Sequence, residues 1–316
     1  MATASAATNW YPQIGIITRK GVGANLLDKD IDVMMDRSNE IPIQGSRFFR
    51  KAQTDTDTYK EATVGNELEQ PRIQEDTDEV AGAVPAPGFT ISATIKVRRL
   101  AVKVTRSVTL MQRHQKALYM ASGLMDSGKR NLEYAFSGMI NNAFATNVGA
   151  DGMYLIDSAR PNENIMTGTW SNLETAADMT HSGVSTARVN MRKRTNSLGE
   201  PMPMKADLLV ISADDQEEAF KILNSEKVND NVLNAKSWNQ GALVPFVWDY
   251  KTDTDSWFLF DESATEAQSG LIYIEKEAPT IYPSAPQDDV VFGEYLRMSY
   301  ATAIGVPKNI QGNAGA

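Results

Sequence analysis

A single long stretch of helical periodicity constrains the fold of this chain more than any other feature. Across residues 110–147, apolar side chains recur at three- and four-residue steps, from Leu118 to Phe144. Thr109 is the predicted N-cap. At about 1.5 Å per residue, such a helix would extend over about 50 Å, several times the length of a usual helix. We expect bending or close packing at the glycines inside it: Gly123, Gly128 and Gly138.

Two predicted strands precede this helix. Residues 46–64 are rich in threonine and aromatic side chains, as β-strands are. Across 91–104 apolar and polar residues alternate, and a break at 98–99 indicates a bulge or a change of face. Glycine, proline and acidic residues fill 65–88, which predicts a loop. Residues 46–106 are therefore predicted to be two strand arms around a loop. Because a lone hairpin is marginally stable in water, we expect it to pack against a neighbouring subunit.

The second half of the chain alternates helical and strand patterns, which is typical of an α/β arrangement. Three helices are predicted here: one at 172–179, one running to Arg194 from a cap at Ser182 or Ser185, and one capped by Asp214 or Asp215. Apolar runs and alternation predict five strands: 208–211, 244–248, 257–260, 271–274 and 295–304.

Composition excludes several classes of function. The chain has 316 residues, a formal net charge of −9 and no cysteine. Without cysteine there is no disulfide, no thiolate metal site and no cysteine nucleophile. The acidic balance lacks the sequence-wide basic footprint of a nucleic-acid-binding protein. Two local basic clusters are interpreted as solvated faces: Lys96, Arg98 and Arg99, and Arg188, Arg192, Lys193 and Arg194.

Signals for secretion or membrane insertion are not found in the sequence. Residues 1–10 carry neither an apolar region nor an early basic run, so no secretory signal is predicted. No stretch approaches the roughly 18 consecutive apolar residues of a membrane span, so no membrane partner is expected.

The sharpest catalytic motif is a near miss. Residues 123–130, GLMDSGKR, match the spacing of a phosphate-binding loop up to the last position. There Arg130 replaces the Ser or Thr whose hydroxyl binds Mg²⁺. The segment also lies inside the predicted helix, where backbone amides are already hydrogen-bonded. No nucleotide cofactor is therefore predicted.

Other candidates for chemistry have structural explanations. His114 and His181 have no Ser or Asp partner at a recognisable spacing and are interpreted as surface residues. Three acidic pairs lack the glycine and distal Glu of a calcium loop: Asp55/Asp57, Asp76/Asp78 and Asp253/Asp255. Apolar surroundings favour core packing over a ligand cage for three tryptophans: Trp238, Trp248 and Trp257. We expect no catalytic site, no cofactor and no metal, and we predict that the protein is not an enzyme.

The order of elements resembles the Hong Kong 97-type fold of tailed-bacteriophage major capsid proteins. The segment VKVTRSVTL (102–110) resembles the junction of hairpin and helix in that family. Three later segments resemble Mu-like major head subunits: STARVNMRKRTNSLGEPMPMKADLLVISADDQEEAFKILNS (185–225), GALVPFVWDY (241–250) and SWFLFDES (256–263). Lys205 and Ala206 stand where such proteins usually place a proline before the strand. The resemblance covers nearly the whole chain from about residue 46 onward.

The resemblance implies an α+β fold with four parts. Residues 1–45 would be an N-terminal arm, and 46–106 an extended E-loop hairpin that lies over an adjacent subunit. Residues 107–159 would form a peripheral domain around a long spine helix, completed by 276–316. Residues 160–275 would form an axial α/β domain that converges at the centres of hexamers and pentamers.

The same resemblance implies a structural major capsid protein that assembles as hexamers and pentamers into the icosahedral head around viral double-stranded DNA. Expected partners are further copies of itself, a separate scaffolding protein, a portal, decoration proteins in phages that have them, and packaged DNA held weakly. It would be assembled in the host cytoplasm and reside in the virion. The fold also serves encapsulins, so the alternative is the shell protein of a bacterial nanocompartment.

The predicted hairpin carries both signs of charge. Opposite charges across an interface determine its register more than its affinity. We expect contacts between subunits from these side chains of the hairpin: Arg50, Lys51, Lys60, Glu61, Glu67, Glu69, Arg72 and Glu75. Each exposed pair contributes about 0–1 kcal/mol, so repetition by symmetry would hold the shell together.

Overall fold

A computed structural model describes the chain in nine segments: 43–62, 88–105, 114–162, 168–196, 199–202, 204–227, 236–265, 270–283 and 290–316. Twelve strands lie in them: β1 (Arg50–Gln53), β2 (Thr58–Ala62), β3 (Thr90–Thr94), β4 (Lys96–Thr105), β5 (Arg160–Pro161), β6 (Thr169–Trp170), β7 (Leu208–Ile211), β8 (Val244–Val247), β9 (Trp257–Phe260), β10 (Leu271–Pro283), β11 (Val290–Ile304) and β12 (Ile310–Asn313). Three helices lie in them: α1 (His114–Asn141), α2 (His181–Arg192) and α3 (Gln216–Asn224). The predicted α+β class is confirmed.

Contacts divide the chain into two compact units. The first unit combines 1–43, 95–134 and 275–300. The second unit combines 44–94, 135–274 and 301–316. The predicted arm lies almost entirely outside the described residues, and the four predicted parts stay a prediction.

Helix α1 is the predicted long helix. It has 28 residues, or about 42 Å of axial length. It ends earlier than predicted because residues 142–146 continue as turns. The side-chain amides of Asn142 and Asn147 donate to the carbonyl of Gly138 at 2.8 and 3.0 Å, which satisfies an acceptor of the last turn. The predicted cap, Thr109, lies outside the described residues.

The glycines of α1 differ in the space around them. A Cβ built on Gly128 would lie 2.8 Å from Cδ2 of the buried Leu296, whereas one on Gly123 or Gly138 would meet nothing within 4 Å. Close packing is therefore confirmed at Gly128 alone.

Replacing Gly138 with alanine is expected to raise the free energy of unfolding by about 0.5–1 kcal/mol. Alanine loses less conformational freedom in a helix, and the added methyl group meets no neighbour. Urea denaturation followed by circular dichroism measures the change. The matched control is Gly128→Ala, where the clash with Leu296 is expected to cancel part or all of this gain. Equal gains in the free energy of unfolding at both positions would contradict the explanation that Leu296 packs closely against Gly128.

Among the described strands, β4 lies at one end of its sheet. The four strands of its sheet lie in the order β1-β10-β11-β4. β4 runs antiparallel to β11, from Thr105 opposite Val290 to Lys96 opposite Tyr300. The break predicted at 98–99 is wrong, because these residues keep their pairing with β11 and the strand is interrupted at Ile95 instead.

The paired part of the predicted hairpin is shorter than its sequence pattern indicated. Only β2 and β3 pair with each other, with Thr58 opposite Thr94 and Ala62 opposite Thr90. The single strand predicted at 46–64 is wrong, because a 3-10 turn at Gln44–Phe48 and the separate strand β1 precede β2. Buried aromatic side chains explain the turn, since Phe48 packs 4.8 Å from the ring of Phe260.

The second unit contains an α/β layer. Its sheet has the strand order β12-β9-β7-β8, in which β7 and β8 are parallel and the other pairs antiparallel. Helices α2 and α3 share one apolar cluster with the sheet. The side chains that build this cluster are Val184, Ala187, Met191, Leu209, Ile211, Ala219, Ile222, Leu223, Trp257 and Leu259, among others. The predicted strands of this sheet and the helix after Asp215 are confirmed.

The helix predicted at 172–179 is wrong. This segment runs along β12 instead: the amide of Glu174 donates to Gly312 O at 2.8 Å, and the amide of Gly312 donates to Asn172 O at 2.9 Å. Backbone pairing with the strand thus outweighs the local helical pattern. Helix α2 is capped by Thr180, whose hydroxyl accepts from the amide of Gly183 at 3.1 Å, and not by Ser182 or Ser185.

Candidate functional site

The hairpin brings two of its predicted contact residues together within one chain. Arg50 forms an ion pair and hydrogen bond with Glu61, and the hydroxyl of Tyr59 donates to the same carboxylate at 2.6 Å. Burial opposes the charge on Arg50, but Glu61 outweighs it and the pKa of Arg50 is raised. Burial and the bond to Glu61 raise the pKa of Tyr59. Arg50 and Glu61 therefore stabilise the base of the hairpin.

The structure describes two of the other six predicted contact residues. Lys51 and Lys60 are exposed, on β1 and β2 respectively. The remaining four lie outside the described residues: Glu67, Glu69, Arg72 and Glu75. Their contacts between subunits stay a prediction.

One predicted solvated cluster contains a buried arginine. Arg192 and Lys193 are exposed, but Arg194 is only 7% exposed. Its guanidinium donates to the carbonyls of Lys308 and Ile310, the latter at 2.8 Å, and to the side-chain oxygen of Gln311. Burial lowers the pKa of Arg194 to about 9. Treating Arg194 as solvated was wrong, because the acceptors that hold it lie more than a hundred residues away in the sequence.

A second buried arginine has a carboxylate partner. Arg160 forms an ion pair with Asp151 at 2.7 Å, and both side chains are fully buried. Arg160 also donates to the carbonyls of Tyr154 and Leu155. Burial raises the pKa of Asp151 and lowers the pKa of Arg160, so each group depends on the other to remain charged. Sequence reasoning missed this pair, because Asp151 lies in a polar loop with no distinctive pattern.

An exposed aromatic and cationic surface lies beside α2. Trp238 is 50% exposed, so its predicted core packing is wrong, whereas Trp248 and Trp257 are buried as predicted. The guanidinium of Arg188 stacks 4.1 Å from the ring of Trp238 and donates to Asn239 Oδ1 at 2.8 Å. Tryptophan and arginine dominate the energetics of protein interfaces, and this pair is a candidate contact point.

The structure forms one serine–histidine contact. His181 Nε2 lies 3.0 Å from Ser237 Oγ, although the two residues are far apart in the sequence. Ser237 is buried, so no substrate can reach its hydroxyl in this conformation. Asn239 donates to the carbonyl of His181 and to Ser185 Oγ, which makes this cluster a brace between α2 and the turn after α3.

The candidates for ligand and metal binding are a cavity and the acidic side chains. A cavity of about 450 Å³ lies between β3 and the end of β11, and its lining carries no titratable side chain. In the described part of the chain, no group of three or more His, Asp or Glu is arranged to hold a metal ion. Asp253 accepts from the amide of Asp255 at 3.2 Å, as a polar turn does. Residues 123–130 lie inside α1, as predicted.

Membrane-spanning character is not seen in the helices of the described residues. None of them is both long enough and apolar enough to cross a bilayer.

The folds of known capsids are similar to this one. The capsid structure of the cyanophage P-SCSP1u aligns with a TM-score of 0.55 at 9% identity, covering 85% of this chain and 86% of that chain. The capsid of a native GTA particle aligns with a TM-score of 0.52 at 11% identity, covering 87% and 91%. The capsid of an empty GTA particle gives 0.55 at 8% identity, covering 87% and 91%. These likenesses establish a shared capsid fold. No curated protein matches the sequence.

A family comparison defines the chain more closely. The model of a phage capsid protein family matches residues 119–312, which is more than half of the chain. The chain therefore belongs to the phage capsid protein family, and it is a structural protein of the phage shell. The more specific resemblance to Mu-like head subunits stays a prediction.

Proposed function

We propose that copies of this chain assemble as hexamers and pentamers into the icosahedral head that encloses the double-stranded DNA of a tailed phage. The observation that carries this proposal is the family match over residues 119–312. The fold shared with the capsids of a cyanophage and of GTA particles supports it. No described feature favours the alternative of an encapsulin compartment.

Each part of the chain takes one role in this proposal. The hairpin built by β2 and β3 is the base of the E-loop within 46–106, which reaches an adjacent subunit. Helix α1 is the spine of the peripheral domain, formed by 107–159 and 276–316. Helices α2 and α3 and strands β7, β8 and β9 belong to the axial domain, 160–275, at the centre of each ring, and β12 from 276–316 joins their sheet. Residues 1–45 act as an arm.

Further partners follow from charge and assembly. With a net charge of −9, the shell holds packaged DNA weakly and without sequence preference. Scaffolding and portal proteins are separate chains in this proposal, and assembly takes place in the host cytoplasm. No catalytic step is assigned to the chain.

Negative-stain electron microscopy of the purified protein tests the assembly. We expect closed icosahedral particles, or rings of five and six subunits, alone or with a scaffolding protein added. The matched control is the same preparation in a denaturant concentration that dissociates particles, followed by dialysis to restore them. A uniform monomer of about 35 kDa that never assembles, even with the scaffold present, would contradict the proposal.

A further inference from the structure

We propose that the solvent-facing side of α2 binds the phosphate groups of double-stranded DNA inside the shell. This inference rests on the proposed function and names the part of each subunit that contacts the packaged genome. Arg188, Arg192 and Lys193 form this surface, the α2 basic face. Because a subunit with a net charge of −9 repels DNA as a whole, attraction requires cations that are concentrated in one place.

The cations of the α2 basic face have no carboxylate partners. Helix α2 contains Arg188 and Arg192 and no acidic residue, and Lys193 follows it directly. Among the described residues, none of these three side chains forms an ion pair. Helix α3 is different, because its Lys221 lies 2.9 Å from a carboxylate of the same helix. The charges of the α2 basic face are therefore available to a negatively charged partner.

The two arginines of α2 repel each other. The guanidinium of Arg188 is held in place by the ring of Trp238, 4.1 Å away, and by its bond to Asn239. Arg192 lies four residues later, on the same side of the helix. Burial and the positive charge of Arg192 lower the pKa of Arg188. A phosphate bound between the two guanidiniums would offset this repulsion and form charge-assisted hydrogen bonds.

The exposed residues beside the α2 basic face are polar. Ser182, Thr186 and Asn190 are exposed and lie at four-residue steps along α2. Side chains of these types, together with Arg and Lys, make most contacts to the phosphates of DNA. No large apolar side chain of α2 itself is exposed, whereas the centre of a protein interface is rich in apolar groups. This chemistry favours a phosphate backbone over a protein partner.

Binding of a DNA duplex to unassembled subunits of the full chain tests the inference. Fluorescence anisotropy of a labelled duplex of about 20 base pairs measures Kd at several salt concentrations. We expect R192Q/K193Q to raise Kd at least about fivefold at about 50 mM salt, because two phosphate contacts are lost. The slope of log K against log salt concentration should become shallower by about 1–2. Circular dichroism checks that each variant is folded.

The matched control is K205Q/K221Q, which removes the same net charge from two exposed lysines elsewhere in the second unit. It should leave Kd for the duplex within about twofold of the value for the unaltered protein. If both double variants weaken binding equally, net charge alone determines the affinity, and the inference is wrong.

Electron microscopy of the same proteins separates this inference from the shell function. If the unaltered protein forms particles but R192Q/K193Q binds the duplex equally well, the inference is wrong while the shell function stands. If R192Q/K193Q forms no particles and its affinity for the duplex is unchanged, α2 contacts protein instead, and the inference is also wrong. If the unaltered protein forms no particles, the proposed function itself fails.

Discussion

Replacing Arg194 with methionine is expected to lower the free energy of unfolding by about 3–5 kcal/mol. Methionine retains much of the volume but donates no hydrogen bond. The carbonyls of Lys308 and Ile310 and the amide oxygen of Gln311 would then be buried without their charged donor. An unsatisfied buried acceptor costs about 1–3 kcal/mol. Leaving several acceptors unsatisfied therefore costs more free energy than is gained by no longer burying a charge.

Urea denaturation of unassembled subunits measures this effect. The control is Arg192→Met, two residues earlier at the end of α2, where the side chain is exposed. That change should stay within about 0.5 kcal/mol of the unaltered protein. Similar small losses for both variants would mean that the bonds to the C-terminal strand contribute little.

Replacing Asp151 with alanine is expected to destabilise the second unit by about 3–5 kcal/mol. The change leaves the guanidinium of Arg160 charged and fully buried without its carboxylate partner. Removing both charges in D151A/R160M should recover part of the loss, because the uncompensated charge is then gone. Thermal and urea denaturation of the three variants measure the coupling between the two residues.

An exposed ion pair provides the control for this experiment. Arg47 and Glu262 form a salt bridge at 2.8 Å, with side chains 35% and 40% exposed. Glu262→Ala should cost about 0–1 kcal/mol, because solvent screens the pair. If Asp151→Ala lowers the free energy of unfolding no more than Glu262→Ala does, burial does not increase the contribution of the ion pair to stability.

Local patterns of the sequence predicted the elements whose own residues determine them. Helix α1 and strands β7 and β9 were found because their apolar periodicity is strong and local. The helix expected at 172–179 failed because its backbone pairs with β12, well over a hundred residues later. The hairpin was predicted too wide for the same reason, since β4 pairs with β11 and not with another strand of the hairpin.

Sequence patterns predicted the candidate site less well than the fold. The charges of Arg50 and Glu61 were interpreted as contacts between subunits, and only the folded structure shows that they form an ion pair within one chain. The burial of Arg194 has no local signal, because its basic neighbours Arg192 and Lys193 are exposed. Long-range partners determine the roles of these residues, and periodicity contains no information about such partners.

The position of β12 has a consequence for how the protein is made. This strand is buried beside β9, yet it follows every other described strand and helix in the chain. While a ribosome is still adding residues before Ile310, the α/β sheet lacks one of its four strands and Arg194 lacks its acceptors on Ile310 and Gln311. Completion of the second unit therefore waits until β12 has been synthesised, after the other three strands of its sheet.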